Sequence, residues 1–203
     1  MKLVIIDLVG VLARTEHIHT FALKEAIAYF AAEAMAAPYL EAHDGIRTKD
    51  KLIRLKNDYQ LSDELMAKID RRKQTMSEQH LRHLRPNPTV TLCLQRLVDN
   101  GFTLALASNS RKVNVDIVLS AMEVDQFFTL RITGDDVAVP KPNPEIFQRI
   151  ISHFNVLPNN VYILEDSCAG NTAAHAVGAN VIKVDSNELI TIKQIEKICD
   201  MMK

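Results

Sequence analysis

Short apolar segments recur five times along the chain, and stretches with helical periodicity separate them. Their apolar residues run continuously instead of alternating with polar ones, which is typical of parallel strands covered by helices on both faces. Gly101 and Gly178 end the helical stretches 89–100 and 170–177, and Pro144 begins the stretch 144–154. The alternation predicts an α/β fold with a doubly wound, Rossmann-like parallel sheet. The predicted strands are Leu3–Asp7, Thr103–Ala107, Phe128–Ile132, Val161–Leu164 and Val181–Val184.

Between the first two predicted strands, the chain from about residue 15 to residue 85 shows only helical periodicity. We therefore predict two domains: an α/β core formed by residues 1–14 and 86–203, and an inserted α-helical cap formed by residues 15–85. A helix-rich α/β protein without a separate cap is the alternative. The inserted cap is favoured because long excursions from a sheet with short loops usually carry function.

Composition and charge narrow the classes of partner. The 203 residues are 47% hydrophobic and 24% charged, with a formal net charge of −1, which is ordinary for a soluble globular protein. No basic excess indicates a nucleic-acid or anionic membrane partner, and no apolar run is long enough to span a membrane. The three cysteines are never spaced as a CxxC pair, and no secretion signal is evident. These features predict a cytoplasmic protein with reduced thiols.

Chemically selective groups follow four of the predicted strands. Asp7 ends the first strand, "SNS" (108–110) follows the second, Lys141 stands between two prolines after the third, and "EDS" (165–167) follows the fourth. In a parallel sheet these loops share one edge, where ligands bind. Taken singly, each has an ordinary explanation as a turn, a solvated lysine or a helix cap. Together they provide a carboxylate nucleophile, two acids for a hard cation, a hydroxyl and an ammonium, which suits a phosphoryl group with Mg²⁺.

The motifs "IIDLVGVL", "LALASNS", "KPNPEIF" and "LEDSCAGNTAAHAVGA" resemble, in order and spacing, those of the haloacid dehalogenase-like hydrolase superfamily. The likeness is to the subgroup with a helical cap, which includes β-phosphoglucomutase and many sugar-phosphate phosphatases. It implies that Asp7 forms an aspartyl-phosphate and that Ser108, Asn109 and Lys141 bind phosphate, with Lys141 also catalytic. It further implies a Mg²⁺ site formed by Asp7, the backbone carbonyl of Val9, Glu165 and Asp166.

Val9 departs from the pattern, because most phosphatases of this superfamily have an aspartate two residues after the nucleophile. That aspartate protonates the leaving oxygen and then activates water, and positioned acid–base catalysis typically contributes about 10² to 10⁴-fold. We favour a Mg²⁺-dependent hydrolase acting on a small phosphorylated metabolite with an altered acid–base step. The alternatives are a phosphate-binding pseudoenzyme or regulatory module, a phosphomutase, and a dehalogenase-type activity, although the acidic pair weighs against dehalogenation.

Three other residues are candidates for contacting the substrate or moving a proton: His19, Arg47 and Ser110. A histidine titrates near neutrality, so His19 is a candidate substitute for the missing acid, although a histidine at such a hinge is more often a solvated surface residue. Arg47 belongs to the segment "DGIRTKDKL" (44–52), which resembles the substrate-contacting segment of the phosphomutase group. The sequence predicts neither the substrate nor the oligomeric state.

Overall fold

The computed structural model describes residues 1–30, 48–185 and 188–201. The chain divides into two compact units: residues 1–14 with 84–203, called here the core unit, and residues 15–83, called the helical unit. Among the described helices, none combines the length and the apolar character that crossing a membrane requires.

The core unit contains a parallel sheet with helices between its strands. Its strands are β1 (Lys2–Ile6), β2 (Phe102–Ala107), β3 (Leu130–Ile132), β4 (Val161–Glu165) and β5 (Asn180–Lys183). Its helices are α4 (Pro88–Asp99), α5 (Lys112–Ala121), α6 (Glu145–Phe154), α7 (Cys168–Ala176) and α8 (Ile192–Asp200), with 3₁₀ turns at Asp125–Phe127 and Pro158–Asn160.

The sheet order is β3-β2-β1-β4-β5, and every described pairing is parallel. Helices cover both faces, so the predicted doubly wound, Rossmann-like fold is confirmed. The strand order reverses between β1 and β4, which places the switch point, where such folds bind ligands, beside the end of β1.

Side chains of alternate strand positions pack into different layers of helices. Leu3 and Ile5 of β1 join a buried apolar cluster with Phe147 of α6 and Ala173 of α7. Helix α4 contacts β2 and α8, and the Cys93 thiol lies 3.8 Å from the carbonyl oxygen of Ile190. Burial on both sides explains why β1 and β4 are continuously apolar.

Two element boundaries differ from the sequence prediction by more than one residue. Strand β3 begins at Leu130 instead of Phe128, because the 3₁₀ turn Asp125–Phe127 ends with the N–H of Phe128 bonded to the Asp125 carbonyl. Helix α7 begins at Cys168, two residues before the predicted start, because the Ser167 hydroxyl caps it by accepting the N–H of Gly170.

The helical unit contains α1 (Glu16–Phe30), α2 (Thr48–Tyr59) and α3 (Asp63–Leu81). Its apolar core joins all three helices through Leu23, Ala26, Ile27, Leu52, Leu55, Met66 and Ile69. Ser62 caps α3 by accepting the N–H of Leu65.

Candidate active site

The register of the sheet brings the ends of β1, β2 and β4 to one level. Ile6 pairs with Leu106 of β2 and with Leu164 of β4. The next residue of each strand therefore lies at the same edge, and these residues are Asp7, Ala107 and Glu165. The N–H of Asp7 donates to the Leu164 carbonyl at 3.0 Å, which fixes the backbone of Asp7 against β4.

Lys141 connects these three strand ends. Its ammonium donates to Asp7 Oδ1 at 2.7 Å, to Glu165 Oε2 at 2.7 Å and to the Ala107 carbonyl at 2.8 Å. The nitrogen also lies 4.9 Å from the centre of the Phe147 ring. Because an ammonium has three protons, these three bonds use its whole donor capacity and fix its position.

Ser167 and Gly170 hold the Glu165 carboxylate in place. Glu165 Oε1 accepts the hydroxyl of Ser167 at 2.8 Å and the N–H of Ser167 at 3.1 Å. A β-carbon at Gly170 would lie 1.9 Å from Glu165 Cδ, so this carboxylate occupies the space that any side chain at 170 would fill. Gly10, with φ of +87°, makes the same room for Asp166, since a β-carbon there would lie 2.0 Å from Asp166 Oδ2.

The carboxylates of Asp7, Glu165 and Asp166 form a cluster suited to a hard cation. Each offers one oxygen, and these oxygens all lie within 4.8 Å of one another. Among the residues that the structure describes, the Lys141 ammonium bonds to two of these carboxylates, Asp7 and Glu165, so the three acids and this lysine together have an excess of negative charge when ionised. Carboxylate oxygens are ligands that Mg²⁺ and Ca²⁺ prefer in proteins, and Mg²⁺ usually keeps several waters besides them, so the residues fit such an ion.

Burial and the nearby acids also change the pKa of Asp7. Burial and the neighbouring Glu165 raise the pKa of Asp7 from 3.8 to about 8, although Lys141 lowers it. Burial also lowers the pKa of Lys141, but the ion pairs with Asp7 and Glu165 outweigh that effect and raise it. Lys141 therefore stays charged, whereas the protein alone does not fully stabilise the Asp7 carboxylate.

The loop after β2 contributes Ser108, Asn109 and Ser110. Ser108 is buried, its N–H donates to the Ile132 carbonyl at 3.0 Å, and its hydroxyl accepts the N–H of Ser110 at 3.2 Å. The side chain of Asn109 donates a hydrogen bond to the Lys141 carbonyl and accepts one from the Lys141 N–H. The structure thus brings Ser108 and Asn109 to the edge that carries Asp7, and their contact with phosphate stays a prediction.

Val9 lies in the turn after β1. It forms a β-bridge with Ala13, and the N–H of the adjacent Gly10 donates to the Ala13 carbonyl at 2.9 Å. The side chain of Val9 is half-buried and has no titratable group. The suggested ligand role of its carbonyl stays a prediction.

In the helical unit, His19 lies on α1. Burial, then Lys73 and His17, lower the pKa of His19 from 6.5 to about 4, and its Nδ1 has no hydrogen-bond partner within the described part of the chain. His19 is therefore neutral at physiological pH and does not have the imidazolium proton that a general acid gives to a leaving group. Arg47 lies outside the described residues.

Sequence reasoning missed the supporting roles of Ser167, Gly170 and Gly10. The "EDS" stretch contained a usable signal, because a serine just before a helical pattern is a common cap and its hydroxyl still has a proton to donate. The need for glycine at 10 and 170 depends on where the Asp166 and Glu165 carboxylates lie, which only the folded chain shows.

Comparisons with known proteins agree with this geometry. The model of a family described as "Haloacid dehalogenase-like hydrolase" matches residues 4–184. A phosphorylated carbohydrates phosphatase from Thermotoga maritima is 29% identical over 182 residues, covering 88% of this chain and 82% of the relative. Protein CbbY from Rhodobacter capsulatus is 27% identical over 203 residues, covering 92% and 86%. The crystal structure of a CbbY mutant from Rhodobacter sphaeroides with xylulose-(1,5)bisphosphate is 25% identical, with a TM-score of 0.73 and coverage of 91% and 86%.

Proposed function

Because the chain belongs to the haloacid dehalogenase-like hydrolase family, we propose that it is a Mg²⁺-dependent hydrolase that cleaves a small phosphorylated metabolite through an aspartyl-phosphate at Asp7. The family predicted from the sequence is confirmed, and so is the broader expectation of a phosphatase-type hydrolase. The metal, the covalent intermediate and the altered acid–base step are the finer parts of the proposal.

One observation carries the proposal: the Lys141 ammonium lies 2.7 Å from both Asp7 and Glu165, at the switch point of the sheet. A nucleophilic carboxylate, a fixed cation and two further acids at one edge are the groups that phosphoryl transfer requires. Burial of Lys141 and Glu165 keeps the cation and its partners in a medium of low dielectric constant, where charge stabilisation is strong.

In the proposed reaction, an oxygen of Asp7 attacks phosphorus, so an Asp7 O–P bond forms while the bond from phosphorus to the leaving oxygen breaks. Lys141 neutralises the charge on the phosphoryl oxygens, and Ser108 supplies a hydroxyl donor at the same edge. Mg²⁺ bound by Asp7, Glu165, Asp166 and the Val9 carbonyl would supply the positive charge that the cluster lacks and would favour the ionised form of Asp7. Water then hydrolyses the aspartyl-phosphate and releases phosphate.

Val9 determines which leaving groups suit this site. It cannot protonate a departing alkoxide or activate the attacking water, and such positioned catalysis is worth about 10² to 10⁴-fold. We therefore infer that aryl and acyl phosphates, whose leaving groups depart without a proton, are cleaved faster than alkyl phosphates. Val9 is also the one observation that favours a second function, a phosphate-binding module with little turnover.

The helical unit is the proposed cap. It is inserted between β1 and β2 of the core unit, at residues 15–83, and its three described helices share an apolar core of their own. The phosphatase relative and the sugar-bisphosphate complex support a small phosphorylated substrate. Measuring the hydrolysis of a panel of sugar and aryl phosphates would identify the substrate that this cap selects.

The test measures phosphate release from an aryl phosphate with and without Mg²⁺, together with a series of esters whose leaving groups differ in basicity. Wild-type protein should release phosphate only with the metal, and Asp7→Asn should abolish release. Val9→Asp should raise turnover most for basic alkyl leaving groups, whereas Val113→Asp, which adds the same charge at an exposed position of α5, should not. Equal rates for wild type and Val9→Asp across the series would contradict the altered acid–base step, and no metal-dependent release from any ester would favour the binding module.

A further inference from the structure

We propose that Asn109 is a positioning residue that acts through Lys141, and that its side chain is not a phosphate ligand. This inference rests on the proposed function for its catalytic consequence, but the contact itself is independent of that function. It revises the role that the sequence resemblance implied for Asn109.

The amide of Asn109 forms a reciprocal pair of hydrogen bonds with the backbone of Lys141. Oδ1 accepts the N–H of Lys141 at 3.0 Å, and Nδ2 donates to the carbonyl of Lys141 at 3.1 Å. A carboxamide presents a donor and an acceptor side by side, so one side chain satisfies both backbone groups of one residue. These two bonds also determine which end of the amide is oxygen.

The neighbours of Lys141 make this pair necessary. Lys141 stands between Pro140 and Pro142, in a loop outside the strands and helices. Proline has no N–H, so Pro142 offers no donor of its own to anchor the loop to the sheet. Asn109 therefore supplies the side-chain attachment of the Lys141 backbone to the loop after β2.

The end of β2 consequently holds Lys141 at two points. The Ala107 carbonyl accepts a hydrogen bond from the Lys141 ammonium, and Asn109, two residues later, bonds to the Lys141 backbone. The backbone around Asn109 is itself held by Gly134. The Gly134 N–H donates to the Ser110 carbonyl at 2.9 Å, and the two backbones lie so close that a β-carbon at Gly134 would be 2.4 Å from the Asn109 carbonyl oxygen. Fixing both ends of the lysine sets where its charge lies relative to Asp7.

The chemistry of the pair makes the position specific for asparagine. Aspartate has the same shape, but it would place an oxygen against the Lys141 carbonyl, so it loses one bond and adds a repulsion. Alanine loses both bonds. If Asn109 instead bound phosphate directly, its removal would weaken phosphate binding without altering the environment of the Lys141 ammonium.

The first experiment observes the ammonium itself. In ¹⁵N-lysine-labelled full-length protein, the buried Nζ of Lys141 should give a slowly exchanging NMR signal, assigned by its loss in Lys141→Met or, independently, in Lys141→Arg. Asn109→Ala, which loses both hydrogen bonds, and Asn109→Asp, which loses one and adds a repulsion, should each accelerate its proton exchange by about tenfold or more. Asn180→Ala is the matched control, because Asn180 also donates to two backbone carbonyls, at 2.8 and 3.2 Å, but begins β5 at the opposite end of the sheet.

The second experiment is a double-mutant cycle on kcat/KM for an aryl phosphate with Mg²⁺. Asn109→Ala should lower kcat/KM by about tenfold in the wild-type background and have no further effect in Lys141→Met, since residues that act through one another are not additive. If the two substitutions lowered kcat/KM independently, so that their effects multiplied in the double variant, the proposal would be wrong. It would also be wrong if the wild-type protein gave no slowly exchanging ammonium signal, or if Asn109→Ala left that signal unchanged. If the protein hydrolyses no phosphate ester, the proposed function fails while the NMR result still decides the role of Asn109.

Discussion

Gly170 lies in the first turn of α7, directly against the Glu165 carboxylate. Helix propensity alone predicts that Gly170→Ala stabilises the protein by up to about 1 kcal/mol. The contact predicts the opposite sign, because the new β-carbon would lie 1.9 Å from Glu165 Cδ and 2.0 Å from Oε2. This substitution therefore separates local propensity from the packing of the candidate site.

The size of the destabilisation follows from the hydrogen bonds that Glu165 must lose. Carbon atoms in contact lie about 3.5 Å apart, so the carboxylate has to move by roughly 1.5 Å. Such a movement breaks the bond to Lys141 at 2.7 Å and the bonds to Ser167 at 2.8 and 3.1 Å. Hydrogen bonds to charged groups contribute about 1.5 to 3 kcal/mol each, and water replaces part of this at the displaced carboxylate. After the helix-propensity gain, we expect the free energy of unfolding to fall by about 2 to 4 kcal/mol.

Chemical denaturation of the full-length protein measures this loss. Gly101→Ala is a control that changes φ strain alone, since Gly101 has φ of +78° and nothing within 4 Å of its would-be β-carbon. In the Glu165→Ala background the obstructing carboxylate is absent, so Gly170→Ala should there be stabilising. The same loss in both backgrounds would refute the argument that the clash with Glu165 is the cause.

Three further predictions concern pH, the covalent intermediate and the metal. The pKa of His19 is lowered to about 4, so the unfolded chain binds a proton below its ordinary pKa while the folded chain does not. The free energy of unfolding should therefore fall by about 2 kcal/mol between pH 7.5 and pH 5, as measured by urea titrations at each pH. His19→Gln should remove this loss, and the same pH dependence in wild type and His19→Gln would contradict the prediction. With an acyl-phosphate donor, intact-protein mass spectrometry should show one phosphoryl group on Asp7, longer-lived than in Val9→Asp; no adduct under turnover would oppose the proposed route. Mg²⁺ at about 100 times its Kd should stabilise the wild-type protein against thermal unfolding by about 2.7 kcal/mol. Asp166→Asn should lose most of that stabilisation, and an equal stabilisation of both proteins would mean that the ion binds elsewhere.

The meeting of the acids and the lysine could be expected from the sequence because it depends on simple geometry. Asp7 and Glu165 come directly at the ends of continuous apolar runs, and parallel strands end at one edge of their sheet. The structure places both carboxylates 2.7 Å from Lys141. Such a result depends first on parallel strand direction, which the continuous apolar runs indicate. The strand order, which makes β1 and β4 neighbours, comes from the structure.

The supporting contacts could not be derived in this way. Asn109 bonds to a residue 32 positions away, with α5 and β3 between them. Its role therefore depends on the path of the loop after β3 that carries Lys141, which has no regular periodicity. A polar side chain after a strand looks the same in sequence whether it faces a ligand or another part of the backbone. The start of β3 was wrong for a related reason: an apolar Phe128 suits a strand as well as it suits the end of a 3₁₀ turn.

The charges at this edge also bear on whether the protein catalyses a reaction or only binds phosphate. Burying the carboxylates of Asp7 and Glu165 together with Lys141 costs desolvation energy, and Asp166 is half-buried beside them. Such clusters are weak evidence for a stabilising role. A passive phosphate-binding site needs Lys141 and Ser108, but Asp7 would repel the anion it is meant to hold. Burial and Glu165 already raise the pKa of Asp7 to about 8, which shows how unfavourable a further negative charge is there. An acid kept in that position makes chemical sense if a cation offsets the charge and the carboxylate attacks phosphorus. Val9 then alters only the protonation of the leaving oxygen and the activation of water.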